Sequence, residues 1–408
     1  MKKELIQQAY EEIPFLSERL NGTEIDWNLP EGEFEKIPPL EKEEIAADVL
    51  RLIPPRYLAD VYGGNLLRAN TSGSTGKCLE IYWNTEDCRR SLYPLWFYRK
   101  KFYGICTWDK RCQFYTISRP GPEEEMVRYR DYGLEFSKND LDEERLIWIY
   151  QEIKKYEPVW MILQPCIAEL LCLVKETHDL PELDSVRYIE MTGEMLSQEL
   201  RDRIVETFHC TVANQYGMNE VNSIAYECPQ GNLHCMEENV VVEILDDEGN
   251  VLPDGEEGNI YVTTCHNQVM PFIRYGTGDR GVLERTQCSC GCRGKILRLL
   301  TGRKHEWVLT RDGEKVTPYV FVRAVEAVNY LTDFCILQYE IVQMDYDEFL
   351  VRIVLDEPVE GIPELFVENI GHESLQAAMY DFCFEKELFP DETGKRSFFK
   401  NQIRSENT

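Results

Sequence analysis

The chain has 408 residues, 43% hydrophobic and 11% aromatic, which excludes a disordered protein and is too long for one ordinary core. Its 73 acidic and 44 basic residues give a formal charge of −29, which speaks against broad binding to nucleic acid or an anionic membrane but leaves room for a local basic pocket. No stretch approaches the roughly 20 apolar residues of a membrane span, the first residues lack the apolar run of a secretory signal, and fifteen Cys, an odd number, do not fit complete disulfide pairing. The expectation is a reducing, cytoplasmic setting in which most thiols are small buried hydrophobes.

Residues 1 to about 60 read as helices broken at Ile37-Pro38-Pro39-Leu40 and Ile53-Pro54-Pro55. Glu41 to Leu50 reads as amphipathic, with Ile45, Val49 and Leu52 on one side. Next comes Thr71-Ser72-Gly73-Ser74-Thr75-Gly76-Lys77, two glycines, four hydroxyls and a lysine, followed by a strand at 79–83. Glycine permits close backbone approach, so main-chain N–H groups can line an anion site, and the hydroxyls and Lys77 add donors and charge suited to a triphosphate. It is not a Walker A loop, because Thr71 and Cys78 stand where that pattern needs Gly and Ser or Thr. A helix is expected from Thr85, with Leu92, Leu95 and Trp96 inward.

From about 110, strands at 112–117, 159–163 and 186–191 alternate with helices at 141–155 and 167–177. That alternation predicts a largely parallel α/β sheet with ligands at the carboxyl ends of its strands. The loops that matter are then Gln164-Pro165, Thr192-Gly193-Glu194 and Asn214-Gln215-Tyr216-Gly217. From 239 to about 300, apolar strands flank acidic Gly-rich turns, as in an antiparallel β subdomain. Beyond a boundary near Thr301, strands near 335–343 and 348–356 and helices at about 317–330 and 372–388 predict a small α+β lobe. Two domains result, 1–301 and 302–408.

Cys228 and His234 in one segment, with Cys288 and Cys290 in another, suit a closed tetrahedral zinc site of structural type. Cys235 and Cys292 are alternates, and unmetallated buried thiols are the competing reading.

The glycine loop, Thr192-Gly193-Glu194, Asn214-Gln215-Tyr216-Gly217-Met218-Asn219-Glu220, Arg274-Tyr275-Gly276-Thr277-Gly278-Asp279, Gly302-Arg303 and Thr393-Gly394-Lys395 occur in one order. Together they resemble the adenylate-forming superfamily of acyl-CoA synthetases and adenylation domains. Ile37-Pro38-Pro39-Leu40-Glu41-Lys42-Glu43-Glu44-Ile45 and Cys288-Ser289-Cys290-Gly291 are similar to its phenylacetate–CoA ligase-like branch, members of which can carry a zinc site. The resemblance covers nearly the whole chain. It implies an acid–thiol ligase: a carboxylate attacks the α-phosphate of Mg·ATP, giving an acyl-adenylate and pyrophosphate, and a thiol then displaces AMP.

By the same resemblance, residues 71–77 hold the β- and γ-phosphates. Tyr216 stacks on adenine with Gly193 and Glu194 on its other side, Asn214 offers an amide to the base edge, and Gly217 belongs to the same segment. Glu220 ligates Mg²⁺, Asp279 takes the ribose hydroxyls, Arg303 approaches the ribose or α-phosphate at a hinge, and Lys395 swings in to the reacting phosphate, with Lys400 as fallback. Asn219, Gly276 and His305 depart from the family pattern, which usually has Thr, Arg and an acidic residue there. Those departures keep open a second reading, a nucleotide-binding regulatory or scaffold protein without catalysis; a zinc-knot interaction module is a third. The acid pocket is expected beside Tyr115, Trp160, Gln164, Pro165 and Met191, suiting a flat aryl or arylacetic acid, although these could equally be core. The acceptor is coenzyme A or a carrier protein's phosphopantetheine. Carrier proteins are often acidic, so the charge of −29 tilts towards coenzyme A unless a basic patch exists.

Overall fold

The computed structural model describes residues 3–30, 32–46, 48–70, 79–115, 127–138, 141, 143–301, 307–332, 335–386, 388 and 398–403. The chain opens with α1 (Lys3–Glu12), α2 (Pro14–Arg19), α3 (Glu43–Ala46) and α4 (Leu58–Tyr62). The amphipathic stretch from Glu41 is not one helix: after α3 the chain restarts as a single 3-10 turn, Val49–Leu52, with Asp48 accepting from the Leu50 N–H at its start. Asp at that position favours a cap over helix interior, and Ile45 and Leu52 still reach the core. Strands β1 (Leu67–Asn70) and β2 (Glu80–Trp83) pair antiparallel. Helices α5 (Thr85–Ser91) and α6 (Tyr93–Tyr103) follow; Asn84 caps α5, and Leu95 and Tyr98 are buried.

The middle of the chain is β3 (Arg111–Tyr115), β4 (Val127–Arg130), β5 (Gly133–Ser137), α7 (Glu143–Tyr156), β6 (Trp160–Leu163), α8 (Pro165–Thr177), β7 (Tyr188–Thr192) and α9 (Gln198–Phe208). Strands β7, β6, β3 and β5 lie side by side and parallel, with β4 antiparallel at the edge. Leu146, Ile149, Tyr150 and Ile153 recur at helical spacing on α7 and are buried against the apolar faces of these strands.

An antiparallel run follows: β8 (Thr211–Met218), β9 (Asn222–Glu227), β10 (Leu233–Cys235), β11 (Val240–Leu245), β12 (Glu257–Thr264), β13 (Tyr275–Glu284) and β14 (Ile296–Thr301), ordered β11-β12-β13-β14-β10-β9-β8. The antiparallel portion thus begins well before 239. Asn214–Gly217 lie inside β8 and not in a loop after a strand, because Gln215 and Tyr216 pair with Tyr226 and Ala225 of β9.

The remainder holds the hairpin β15 (Val308–Leu309) and β16 (Lys315–Val316), then α10 (Tyr319–Leu331), β17 (Ile336–Asp345), β18 (Glu348–Leu355), α11 (Ile362–Glu368), α12 (Glu373–Gln376), β19 (Met379–Phe384) and β20 (Phe399–Asn401). Their sheet runs β19-β18-β17-β20, over a core that includes Phe321, Tyr339, Phe349 and Phe366. The helix expected at 372–388 is a single turn followed by β19, in which Tyr380 and Phe382 alternate towards that core at the strand period. The fold class is the one read from the sequence: a large α/β N-terminal portion with an antiparallel β part, and a small α+β C-terminal portion. By compactness, Met1–Thr71, Leu79–Thr107 and Ala213–Gly302 form one unit, while Trp108–Val212 and Arg303–Thr408 fall in a second.

Candidate functional site

In the first unit, β13 is the strand on which candidate residues converge. Tyr216 on β8 donates its hydroxyl to Asp279 Oδ2 at 2.8 Å. Four residues back along β13, Tyr275 donates to Glu220 Oε1 at 3.1 Å. Tyr275 and Glu220 are both buried, and burial with Glu220 alongside pushes the Tyr275 phenol well above its ordinary value, so it stays a donor to the carboxylate. Tyr275 carries this contact although the motif reading gave it no role; its place in Arg274-Tyr275 was the available signal.

Gly217 sits where the β8–β9 register shifts. A Cβ there would lie 2.4 Å from the Asn222 carbonyl oxygen, so only glycine fits. Asn219 donates its side-chain amide to the Asn70 carbonyl at 2.8 Å, and its own carbonyl accepts from the Trp83 indole at 3.1 Å. Asn214 donates its backbone N–H to the Glu227 carboxylate.

Gly276 lies beside the entry segment. Leu40 pairs with Tyr275, its N–H donating to the Arg274 carbonyl at 2.7 Å and its carbonyl accepting from the Gly276 N–H at 2.9 Å. Glu41 follows, hydrogen-bonded by Tyr261, and a Cβ on residue 276 would lie 2.8 Å from Glu41 Oε2. Arg274 is buried and donates to the carbonyls of Glu35 and Ile37 and to Glu243. The Pro-Pro segment is therefore laid along β13, with the Glu41 carboxylate against Gly276.

In the second unit, Gln164 and Pro165 follow the carboxyl end of β6, Glu194 follows that of β7, and Tyr115 ends β3. Gly193 has φ +85° and faces Gln164 Cγ. Glu194 accepts from the Cys166 N–H at 3.1 Å and its thiol at 3.2 Å, a carboxylate on the first turn of α8 where the helix dipole favours it. Trp160 is at the amino end of β6, buried and stacked on Tyr188 with centroids 6.3 Å apart, and Met191 is buried in the core under the sheet. These two are separated from Gln164 by strand position or face. The sequence reading also missed Lys138, which follows β5 at the same carboxyl edge. It is buried and interacts with Glu194, Cys166 and Glu326 of α10. Burial lowers the lysine's pKa and pushes Glu326 up to about 8.

Residues 71–77, Arg303 and Lys395 lie outside the described residues. Lys400 is on β20 and paired with Glu340.

Cys228, His234, Cys288 and Cys290 come together, with all ligand atoms within 4.8 Å of one another. The Cys228 and Cys288 sulfurs are 3.8 Å apart, and Cys290 Sγ is 3.2 Å from His234 Nε2. Zinc–sulfur bonds of about 2.3 Å in a tetrahedron need sulfurs roughly 3.8 Å apart. Cys235 packs instead in the core, and Cys292 lies beside Lys101, whose ammonium is 3.1 Å from its sulfur.

A family described as AMP-binding enzyme matches residues 136–271. Phenylacetate-coenzyme A ligase of Thermus thermophilus is 24% identical, over 91% of this chain and 82% of its own. These matches make the chain similar to the adenylate-forming superfamily, and among its members to the phenylacetate–CoA ligase-like branch. Protein CapK of Staphylococcus aureus is 22% identical over 91% of this chain and 81% of its own. A crystal structure of 2-hydroxyisobutyryl-CoA ligase superposes with a TM-score of 0.63 at 18% identity, covering 98% of this chain and 88% of that one, and shows the shared fold of adenylate-forming enzymes. No helix among the described residues is long and apolar enough to cross a membrane.

Proposed function

We propose that this adenylate-forming protein activates a carboxylic acid with ATP and transfers the acyl group to a thiol. In the first half-reaction the acid's oxygen attacks the α-phosphorus, and pyrophosphate leaves. In the second, a thiol sulfur attacks the acyl carbon, and AMP leaves. The observation that carries this reading is the pair of contacts on β13, Tyr216 to Asp279 and Tyr275 to Glu220. Asp279, held by Tyr216, would accept from the ribose hydroxyls, and the Tyr216 ring would lie beside that sugar for adenine to stack on. Glu220 is the carboxylate that would hold Mg²⁺, a cation that takes one or two carboxylates and neutralises phosphate charge. The Asn219 amide, fastened to Asn70, would steady the stem of the phosphate loop.

Relatives bearing the name phenylacetate-coenzyme A ligase support an aryl or arylacetic acid, with Tyr115, Gln164, Pro165 and Gly193 at the pocket's strand ends. The cysteine–histidine quartet suits a structural zinc that ties β9 and β10 to the segment before β14, with four protein ligands and no open position. Residues 302–408 act as the mobile lid that delivers Lys395.

Incubation with ATP, Mg²⁺ and a mixed pool of acids, followed by mass spectrometry, tests the reading. An acyl-adenylate of an aromatic acid is expected, and native mass spectrometry of the same sample should show one zinc per chain. No adenylate and no pyrophosphate exchange with any acid would defeat the enzymatic reading; a zinc-free folded chain would defeat the metal assignment alone.

A further inference from the structure

Helices α5 and α6 carry a surface at odds with the rest of the molecule. Leu92 between them is helical in φ and ψ, so the two run on with little break. Residues 85–107 contain five basic side chains and two acidic ones in a chain of charge −29; Asp87 and Arg99 are buried, and the exposed Glu86 pairs with Arg89 and Arg90, which leaves four exposed cations against one anion. Exposure recurs at helical spacing: Arg89, Arg90, Tyr93, Phe97, Lys100 and Lys101 share one face. The opposite face, with Asp87, Ser91, Leu95 and Tyr98, is buried. Tyr93 and Phe97 are 54% and 61% exposed, a large apolar pair in water with a pair of cations at either end. Eleven residues separate the two cation pairs, ~16 Å along a helix.

The stripe is fastened to the candidate site. Ser91 Oγ accepts from the Asn222 amide at 2.6 Å, two residues beyond Glu220, and Asp87 accepts from the Gln268 N–H on the approach to β13. We infer that the α5–α6 stripe is the docking surface for an acidic carrier protein, whose phosphopantetheine thiol is the acceptor of the acyl group. This rests on the acid-activating function above and names its second substrate. Charge complementarity carries the choice. An acidic protein face can meet both cation pairs and cover the aromatic pair between them, whereas the phosphates of free coenzyme A are a compact cluster that leaves Tyr93 and Phe97 in water. On a strongly acidic chain such a stripe is a local region where the repulsion an acidic partner meets is reduced. In the transfer the carrier's sulfur bonds to the acyl carbon, the carbon–oxygen bond to AMP breaks, AMP departs as the phosphate anion, and the thiol proton passes to solvent.

The test compares the full-length protein with an Arg90→Glu/Lys100→Glu double variant and with Phe97→Ala. The acceptors are coenzyme A and each carrier protein of the source organism in phosphopantetheinylated form. Loading of at least one carrier is expected, with kcat/KM falling tenfold or more in the double variant at low ionic strength, several-fold in Phe97→Ala, and less as salt rises. Pyrophosphate exchange and transfer to coenzyme A should stay unchanged. Efficient transfer to coenzyme A with no carrier loaded, an unchanged carrier kcat/KM in both variants, equal loss of transfer to coenzyme A, or binding to anionic vesicles through these residues overturns the inference. Calorimetric binding of the carriers without acid or ATP separates the two readings: binding that the double variant abolishes upholds the surface even where no acid is activated, and no binding overturns it.

Discussion

Gly217 shows how a single residue fixes the geometry of the segment proposed to bind the nucleotide. The β8–β9 ladder slips there, and the strands approach so closely that an added Cβ would meet the Asn222 carbonyl at 2.4 Å and Ser223 Cα at 3.1 Å. Backbone cannot step aside as a side chain can, so Gly217→Ala should cost about 2 kcal/mol or more of stability. It should also weaken nucleotide binding, because Tyr216 and Asn219 flank the slip. Chemical denaturation and calorimetric titration with ATP measure the two effects, and a variant as stable as the parent would contradict the close approach. Gly276 teaches a different lesson at this scale. As sequence it reads as a missing family residue, whereas in the fold it lies against the Glu41 carboxylate, beside the segment that Arg274 holds down. A contact between residues more than two hundred positions apart leaves no local mark in composition or period.

At the scale of elements, the apolar period located most helices and strands, and failed where local chemistry competed with it. Asp48 stopped a helix by capping the next turn, and Tyr380 and Phe382 chose the strand period over a helical one. The interaction of Glu326 on α10 with Lys138 at the carboxyl edge of the parallel strands had no such signal, since neither residue stands in a motif. Glu326 is buried and feels the charge of Lys138, which also interacts with Glu194 and Cys166. Its carboxyl holds a proton up to about pH 8 when folded, against an ordinary 4.5, because burial penalises the anion. Folded Glu326 thus binds its proton more tightly than the unfolded chain does. Its stabilising contribution is full below about pH 4.5 and is lost as pH rises through about 8. Lys138, lowered by burial, works in the opposite sense. Glu326→Gln should be no more stable than the parent near pH 5 and more stable near pH 9, by on the order of 2 kcal/mol. Urea midpoints at the two pH values decide it; an equal offset at both would mean the carboxyl is ionised throughout.

At the scale of the whole molecule, the family was legible because six short motifs keep one order along the chain, although each motif alone is weak. The extent of the antiparallel sheet was not legible, because β8 reads as a loop motif until β9 pairs with it. The proposed division of labour assigns nucleotide contacts to Tyr216, Glu220 and Asp279 in one compact unit and the reacting cation to Lys395 in the C-terminal portion. Lys400, the other cation considered, is engaged with Glu340, whose carboxylate also pairs with Arg352, so it is held to its own sheet and ill suited to travel. A lysine that stabilises charge only as the adenylate forms should contribute to the transition state and little to ATP binding. Lys395→Ala is therefore expected to lower pyrophosphate exchange by a hundredfold or more, while calorimetric affinity for ATP changes less than threefold. Transfer from a chemically prepared acyl-adenylate to the thiol should survive, because under the proposed lid motion that half-reaction does not use Lys395. Loss of both half-reactions together would place Lys395 in the framework of the site, and the lid would then have to deliver a different residue.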